Sequence, residues 1–169
     1  MTPTTEFIDR RYSDEKAGAV PWTDAAARLA AAEVAWVVTV RPDGRPHATP
    51  VVPVFDGGKV YFHTGSTEVK RANLRANPHV LVLAGDTAWD NGFDVAVEGS
   101  AVEVTDDTSL RRIAELYRGR WDGRWKLDVR DGAVVSEDSA NQLVVFEVTP
   151  AKARGHAKGD PFGQTNYRF

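Results

Sequence analysis

Apolar and polar positions change their period several times along the chain, and each change marks an element. From Asp24 to about Glu33 alanines crowd the sequence (Ala25, Ala26, Ala27, Ala30, Ala31, Ala32), which favours a helix because alanine loses no rotamer freedom there. Thr23 stands where a side-chain N-cap is expected. Ala35–Arg41 (AWVVTVR) is β-rich with apolar groups on both faces, the pattern of a barrel strand. Pro42-Asp43-Gly44-Arg45 is a turn, Pro presetting φ and Gly accepting a positive one. A second strand is expected over Pro46–Phe55, broken or edged by Pro50 and Pro53. Asp56-Gly57-Gly58 turns the chain into Lys59–Thr64 (KVYFHT), which completes a meander.

A short helix is expected from Ser66 or Thr67 to about Ala76, where Asn77-Pro78 stops it. Strands follow at His79–Ala84 and Phe93–Thr105, with Gly99 marking a bulge or sharp bend. Leu110, Ile113, Ala114 and Tyr117 share one face of a helix over Asp107–Arg118. Trp121–Gly132 reads as irregular, Gln142–Thr149 as a core strand and Lys152–Ala157 as a last strand. Met1–Val20 reads as a mobile or partner-docked arm. The tail Lys158–Phe169 (KGDPFGQTNYRF) holds too much Gly and Pro for regular structure, yet is too aromatic for a disordered end. Six or more antiparallel strands with short helices make the chain mainly β with α additions, a barrel and not a doubly wound α/β fold. The expected division is an arm at 1–20, one barrel domain at 21–157 and a tail at 158–169.

Composition narrows the chemistry. The chain has 169 residues, 42% hydrophobic and 27% charged, enough for one domain with its own core. A net charge of -3 gives no reason to expect nucleic acid. With no cysteine there is no disulfide, thiolate nucleophile or zinc ribbon. Neither a secretory signal nor a membrane-length apolar run is visible, so a cytoplasmic location is expected. His47, His63, His79 and His156 form no metal-type pair at i,i+2 or i,i+4, and no metal is expected. Neither a G-x-S-x-G elbow nor a phosphate-loop or dinucleotide glycine fingerprint occurs.

One run can carry chemistry: Tyr61-Phe62-His63-Thr64-Gly65-Ser66-Thr67-Glu68-Val69-Lys70-Arg71-Ala72-Asn73-Leu74-Arg75. A strand ending in a hydroxyl residue leads through a glycine turn to a helix start bearing Lys70 and Arg71. Free N–H groups and the positive end of the helix dipole suit a phosphate, with hydroxyl donors at Thr64, Ser66 and Thr67 and a point charge at Lys70. A capped, solvent-facing basic helix has the same pattern.

Trp36–Val40, the turn Asp43-Gly44-Arg45-Pro46, Thr49–Phe55, Val60–Thr64, Lys70–Pro78 (KRANLRANP) and Val97-Glu98-Gly99 together resemble the pyridoxamine 5′-phosphate oxidase-like split β-barrel superfamily. Within it the chain is most similar to the flavin- and deazaflavin (F420)-dependent oxidoreductase branch. The resemblance implies a homodimer with two cofactor sites at the subunit interface. It implies a cofactor phosphate held by Thr64, Lys70 and Arg71, with Ser66 and Asn73 nearby. The ring system would lie along Thr49, Pro50, Val51, Val52 and Val54, where the valines and not the prolines supply N–H donors. Trp89, Trp121, Trp125, Tyr167 and Phe169 are candidates to close the pocket from the partner subunit, or else to pack a dimer. Gln164, Thr165 and Arg168 lie in the family-like ending, with Asn166 where the family commonly has Arg.

The resemblance also bears on the reaction. The prototype oxidase has a longer C-terminal part with an Arg and His pair for its substrate; no such ending is visible, so a vitamin-B6 oxidase is not expected. The expected function is hydride transfer between reduced F420 and a small electron-poor organic acceptor, a choice that leans on the tail and the chain length. FMN is the alternative cofactor. A different class, non-catalytic storage of a cofactor or binding of haem, is the third reading. Arg10, Arg11, Arg41 and Arg45 are candidate partners for the acidic tail of a deazaflavin. No catalytic residue is singled out.

Overall fold

The computed structural model describes residues 1–120, 123–130, 132–136 and 142–169. Its core is one antiparallel sheet of eleven strands. After β1 (Thr5–Ile8) and a turn of 3-10 helix at Arg10–Tyr12, the chain forms α1 (Trp22–Ala31), β2 (Ala35–Val40), β3 (Pro46–Val51), β4 (Pro53–Asp56) and β5 (Lys59–Gly65). There follow α2 (Val69–Ala76), β6 (His79–Gly85), β7 (Phe93–Glu103), α3 (Asp107–Arg118), β8 (Leu127–Arg130), β9 (Ala133–Ser136), β10 (Gln142–Ala157) and β11 (Gly163–Arg168).

Pairing runs β3-β2-β6-β7-β10 and then, through the first half of β10, to β5 and β4. Because only Val52 separates β3 from β4, the sheet returns to the segment on which it began, and the result is a split barrel. The break follows the chemistry of the sequence, since Pro50 and Pro53 cannot donate to a ladder on both sides of Val52. Gly44 turns β2 into β3 at φ 85°, a region costly for any residue with a Cβ.

The barrel interior is packed by Phe62 and Phe146, stacked with centroids 5.4 Å apart, among Val37, Val60, Val82 and Val97. α1 caps it with Trp22, Ala25 and Leu29. A second core lies under α3, where Leu110, Ile113 and Tyr117 meet Tyr61, Val145 and the β8–β9 hairpin. These helix residues are the ones the 3.6-residue period places on a single face, and α3 occupies the expected range with Asp106 as N-cap.

Several expectations are corrected. Thr23 is not the cap of α1; Pro21 is, and Thr23 lies inside the helix. Proline suits a helix start because the N–H it lacks would have no partner there. α2 starts at Val69 with Glu68 at the N-cap, not at Ser66 or Thr67. The arm and the tail are regular structure: β1 pairs with β11, and β11 with the second half of β10. Each strand had too few alternating residues to be read alone, and each is made by the other. Leu127–Arg130, inside the stretch read as irregular, is a strand that pairs with Ala133–Ser136 just beyond it. Lys152–Ala157 is not a separate strand but continues β10 across a bulge between Pro150 and Lys152. Gly99 faces that bulge without being part of it. A Cβ there would stand 2.3 Å from the Thr149 carbonyl oxygen, so the glycine permits the close approach of β7 and β10.

Candidate functional site

β5 and α2 meet at a turn that gathers the polar groups. Thr64 ends the inward-facing row of β5 at 2% exposure, and Lys70, in the first turn of α2, is 4% exposed. A lysine this buried requires partners, since an ammonium removed from water loses its hydration. Its Nζ donates to Thr64 Oγ1 at 3.0 Å and forms a close ion pair with the Glu68 carboxylate. Glu68 also accepts the Gly65 N–H at 2.8 Å, so its side chain folds back from the helix start onto the turn. Burial pushes the Glu68 carboxyl up, but Lys70, the Gly65 N–H and the Thr64 hydroxyl outweigh it and hold the group below its ordinary value.

Beside this cluster opens a cleft of about 360 Å³. Pro50, Val51 and Val52 form one wall, His63, Thr64, Gly65, Glu68 and Lys70 the polar end, and Val34, Trp125 and Leu143 the rest. Burial, with a smaller contribution from Lys70 against the opposing pull of Glu68, lowers the His63 pKa to about 4. His63 is therefore a neutral imidazole near pH 7. Its ring meets Tyr117 edge-on at 5.1 Å and Trp125 at 5.7 Å, and its Nε2 is buried with no hydrogen-bond partner among the described residues. Tyr117, held protonated by burial, donates to the Val52 carbonyl at 2.8 Å and so fixes the break between β3 and β4 from beneath.

The structure brings together Pro50, Val51, Val52, Thr64, Lys70 and Trp125, all on the cleft. Thr49 lies on β3 next to Pro50, its hydroxyl buried and unpaired among the described residues. The remaining candidates lie elsewhere. Val54, 2% exposed, is part of the core under α3. Arg71 turns away from Lys70, donating to the Ser66 carbonyl at 2.8 Å and to Glu103 at 3.0 Å; both Ser66 and Arg71 line a separate recess. The helical period explains this, because successive residues point about 100° apart. Asn73 is buried and donates to Thr39 Oγ1 at 2.9 Å, joining α2 to β2.

Trp89 is exposed and stacks on Phe162. Tyr167 is enclosed in the chain's own core, its hydroxyl donating to the Val20 carbonyl at 2.7 Å and its pKa pushed up to about 12 by burial. Phe169 packs on Trp22, and Arg168 lies on a groove along β1, β10 and β11 beside Asp9 and Gln164. Thr165 is buried and accepts from the Val20 N–H, while Asn166 donates to Asp9. Trp121 lies outside the described residues. Of the arginines considered for an acidic tail, Arg11 is paired with Asp9 and Arg45 with Asp43, while Arg10 donates to the Asp14 and Glu15 carbonyls. Sequence reasoning missed Val34, His63, Glu68, Tyr117 and Leu143. Glu68 had a visible signal, an acid two positions before the lysine, but the direction of its side chain is a tertiary fact.

Among the described residues no group of His, Asp and Glu is arranged to hold a metal ion, and no helix is long and apolar enough to cross a membrane. The arrangement suits an anion beside an apolar slab: a buried ammonium, a hydroxyl and a backbone N–H at one end, and flat apolar walls along the rest.

A split barrel with an anion-type cluster at the β5–α2 turn is the class that the fold and site define. The chain belongs to the pyridoxamine 5′-phosphate oxidase family, whose N-terminal model matches residues 22–157. No curated protein sequence matches it. Among solved structures it is similar to a putative pyridoxamine 5′-phosphate oxidase from Listeria innocua, at 26% identity over 78% of this chain and 94% of that one, with a TM-score of 0.60. An F420 reductase shares 25% identity over 75% of this chain and 93% of its own, with a TM-score of 0.57. A conserved hypothetical protein from Mycobacterium tuberculosis has the same fold, at a TM-score of 0.65 and 22% identity, over 80% and 84% of the two chains.

Proposed function

We propose that the cleft holds a phosphate-bearing flavin-type cofactor and that the chain is an oxidoreductase using reduced deazaflavin F420, with FMN as the alternative. The observation that carries this reading is the convergence of the Lys70 ammonium, the Thr64 hydroxyl and the Gly65 N–H at the end of an apolar cleft. Buried cationic and N–H donors are the chemistry a phosphate needs, and the Pro50–Val52 wall, Trp125 and Leu143 are of a kind to lie against a ring. The likeness to an F420 reductase is in keeping with the deazaflavin reading.

When bound, such a cofactor supplies the hydride chemistry itself. The chain's part is to hold the phosphate at Thr64 and Lys70, to orient the ring along β3, and to exclude water with Val34, Trp125 and Leu143. His63, neutral and with a free nitrogen, is available to exchange a hydrogen bond with whatever lies in the cleft.

The homodimer belongs to the same proposal. Pro50, Trp36, Leu83 and Ala96 stand opposite one another across β3, β2, β6 and β7, an outward-facing row that begins on the cleft wall. Trp36 in this row is 49% exposed, an apolar area that a second copy would cover. A partner seated there would also close the cleft. Titration of apo protein with F420 and with FMN tests the cofactor. Tight binding of F420, with oxidation of its reduced form by an electron-poor acceptor, is the expected result; tight binding of FMN alone selects the alternative, and binding of neither rejects the proposal.

A further inference from the structure

We infer that Glu68 is a built-in counter-anion that occupies the phosphate end of the cleft and must be displaced when a cofactor phosphate enters, which makes Glu68 a determinant of cofactor affinity and selectivity. This inference rests on the cofactor reading above and deepens it. The groups that would receive a phosphate already converge on one carboxylate: Lys70 pairs with it, and the Gly65 N–H donates to it at 2.8 Å. The Thr64 hydroxyl adds to the hold on its charge. Two anions cannot share these donors, because a single buried ammonium neutralises only one charge and like charges a few ångströms apart repel strongly away from water.

The two partners differ in what they are free to do. The Lys70 side chain is 5% exposed and that of Glu68 is 49% exposed. Glu68 also accepts nothing from its own helix: as N-cap of α2 it makes no side-chain capping bond, so its carboxylate can rotate outward without costing α2 a hydrogen bond. Lys70 and Thr64 stay in place, fixed by burial. In the free protein Glu68 keeps the buried ammonium paired, and a small anion gains little by replacing it. A phosphate tethered to a ring gains the cleft walls as well and can displace it. Glu68 thus discriminates a phosphate-bearing ring compound from inorganic phosphate.

The test compares wild type, Glu68→Gln and Lys70→Ala for binding of FMN, F420, riboflavin (which lacks the phosphate) and inorganic phosphate, by fluorescence titration and thermal shift. Glu68→Gln keeps the Gly65 acceptor and removes the charge. It is expected to bind FMN and F420 about tenfold more tightly or better, to leave riboflavin unchanged, and to gain thermal stability from inorganic phosphate at concentrations that do not move the wild type. Glu68→Ala, also free of the charge, is the second variant should glutamine not fold. Unchanged or weaker FMN and F420 binding in the charge-free variant, with Lys70→Ala still weakened, overturns the role of Glu68 and leaves the cofactor site standing. Undiminished binding in Lys70→Ala, or no binding of either cofactor by any variant, overturns the site and this inference together.

Discussion

At the scale of single residues, the cleft is governed by what burial does to charge. Lys70 sits in a nearly closed setting with Glu68 and Thr64 as its partners, whereas His63, also on the cleft, is an uncharged imidazole near pH 7. This difference has a measurable consequence. The unfolded chain takes up a proton on His63 near 6.5 and the folded one only near 4. Between those values the unfolded state binds more protons, so folding stability is full above about pH 6.5 and is lost as the pH falls towards 4. The loss is expected to be on the order of 2–3 kcal/mol, measurable by denaturant titration at several pH values, with the His63 titration followed by NMR. His63→Gln should flatten that part of the profile, and a His63 that titrates near 6.5 in the folded protein contradicts the burial described. Thr64 and Lys70 were legible in the sequence as a hydroxyl at a strand end and a cation in the next helical turn. Arg71 was not separable from Lys70 there, because spacing gives neighbours without saying which one a sheet will cover.

At the scale of elements, local pattern carried far where an element is decided by its own residues. α3 follows from its apolar face, and the β2–β3 hairpin from Pro42-Asp43-Gly44-Arg45. It failed where an element exists only through its partner. β1 and β11 are short, rich in polar residues or broken by Gly, and become strands because β10 offers an edge that β11 pairs with and β11 then offers one to β1. The sequence pointed to Gly99 for a bulge or a sharp bend, whereas the register shifts on the opposite strand between Pro150 and Lys152, for a related reason: Gly99 advertises a tight place in the sequence, but the irregular residue opposite it does not. The tightness itself is testable. Gly99→Ala would drive a Cβ against the Thr149 carbonyl oxygen, and a loss of about 2–4 kcal/mol in stability is expected. Thermal or urea unfolding of the variant measures it, and wild-type stability would contradict the close approach of β7 and β10.

At the scale of the molecule, the split barrel is the frame that sets a strand, Pro46–Val51, against a helix start 18 residues further on, so that an apolar wall and an anion cluster share one cleft. The outer face of the same sheet is apolar along Pro50, Trp36, Leu83 and Ala96. A charge there, as in Leu83→Glu, is expected to turn the proposed dimer into a monomer in sedimentation experiments and to weaken cofactor binding with it. A wild-type chain that sediments as a monomer would remove the dimer from the proposal. The family was legible from the order of the segments between Trp36 and Gly99, but the cofactor was not, because the same cleft chemistry suits either ring system. The claim on which all of this depends is that the cleft receives a phosphate-bearing cofactor at Lys70. Fluorescence titration of F420 and FMN into wild type and Lys70→Ala, with circular dichroism to verify the fold, tests it most directly. The account predicts tight binding of one of the two by the wild type and a loss of about tenfold or more in the variant, while equal affinity in a folded Lys70→Ala would contradict it.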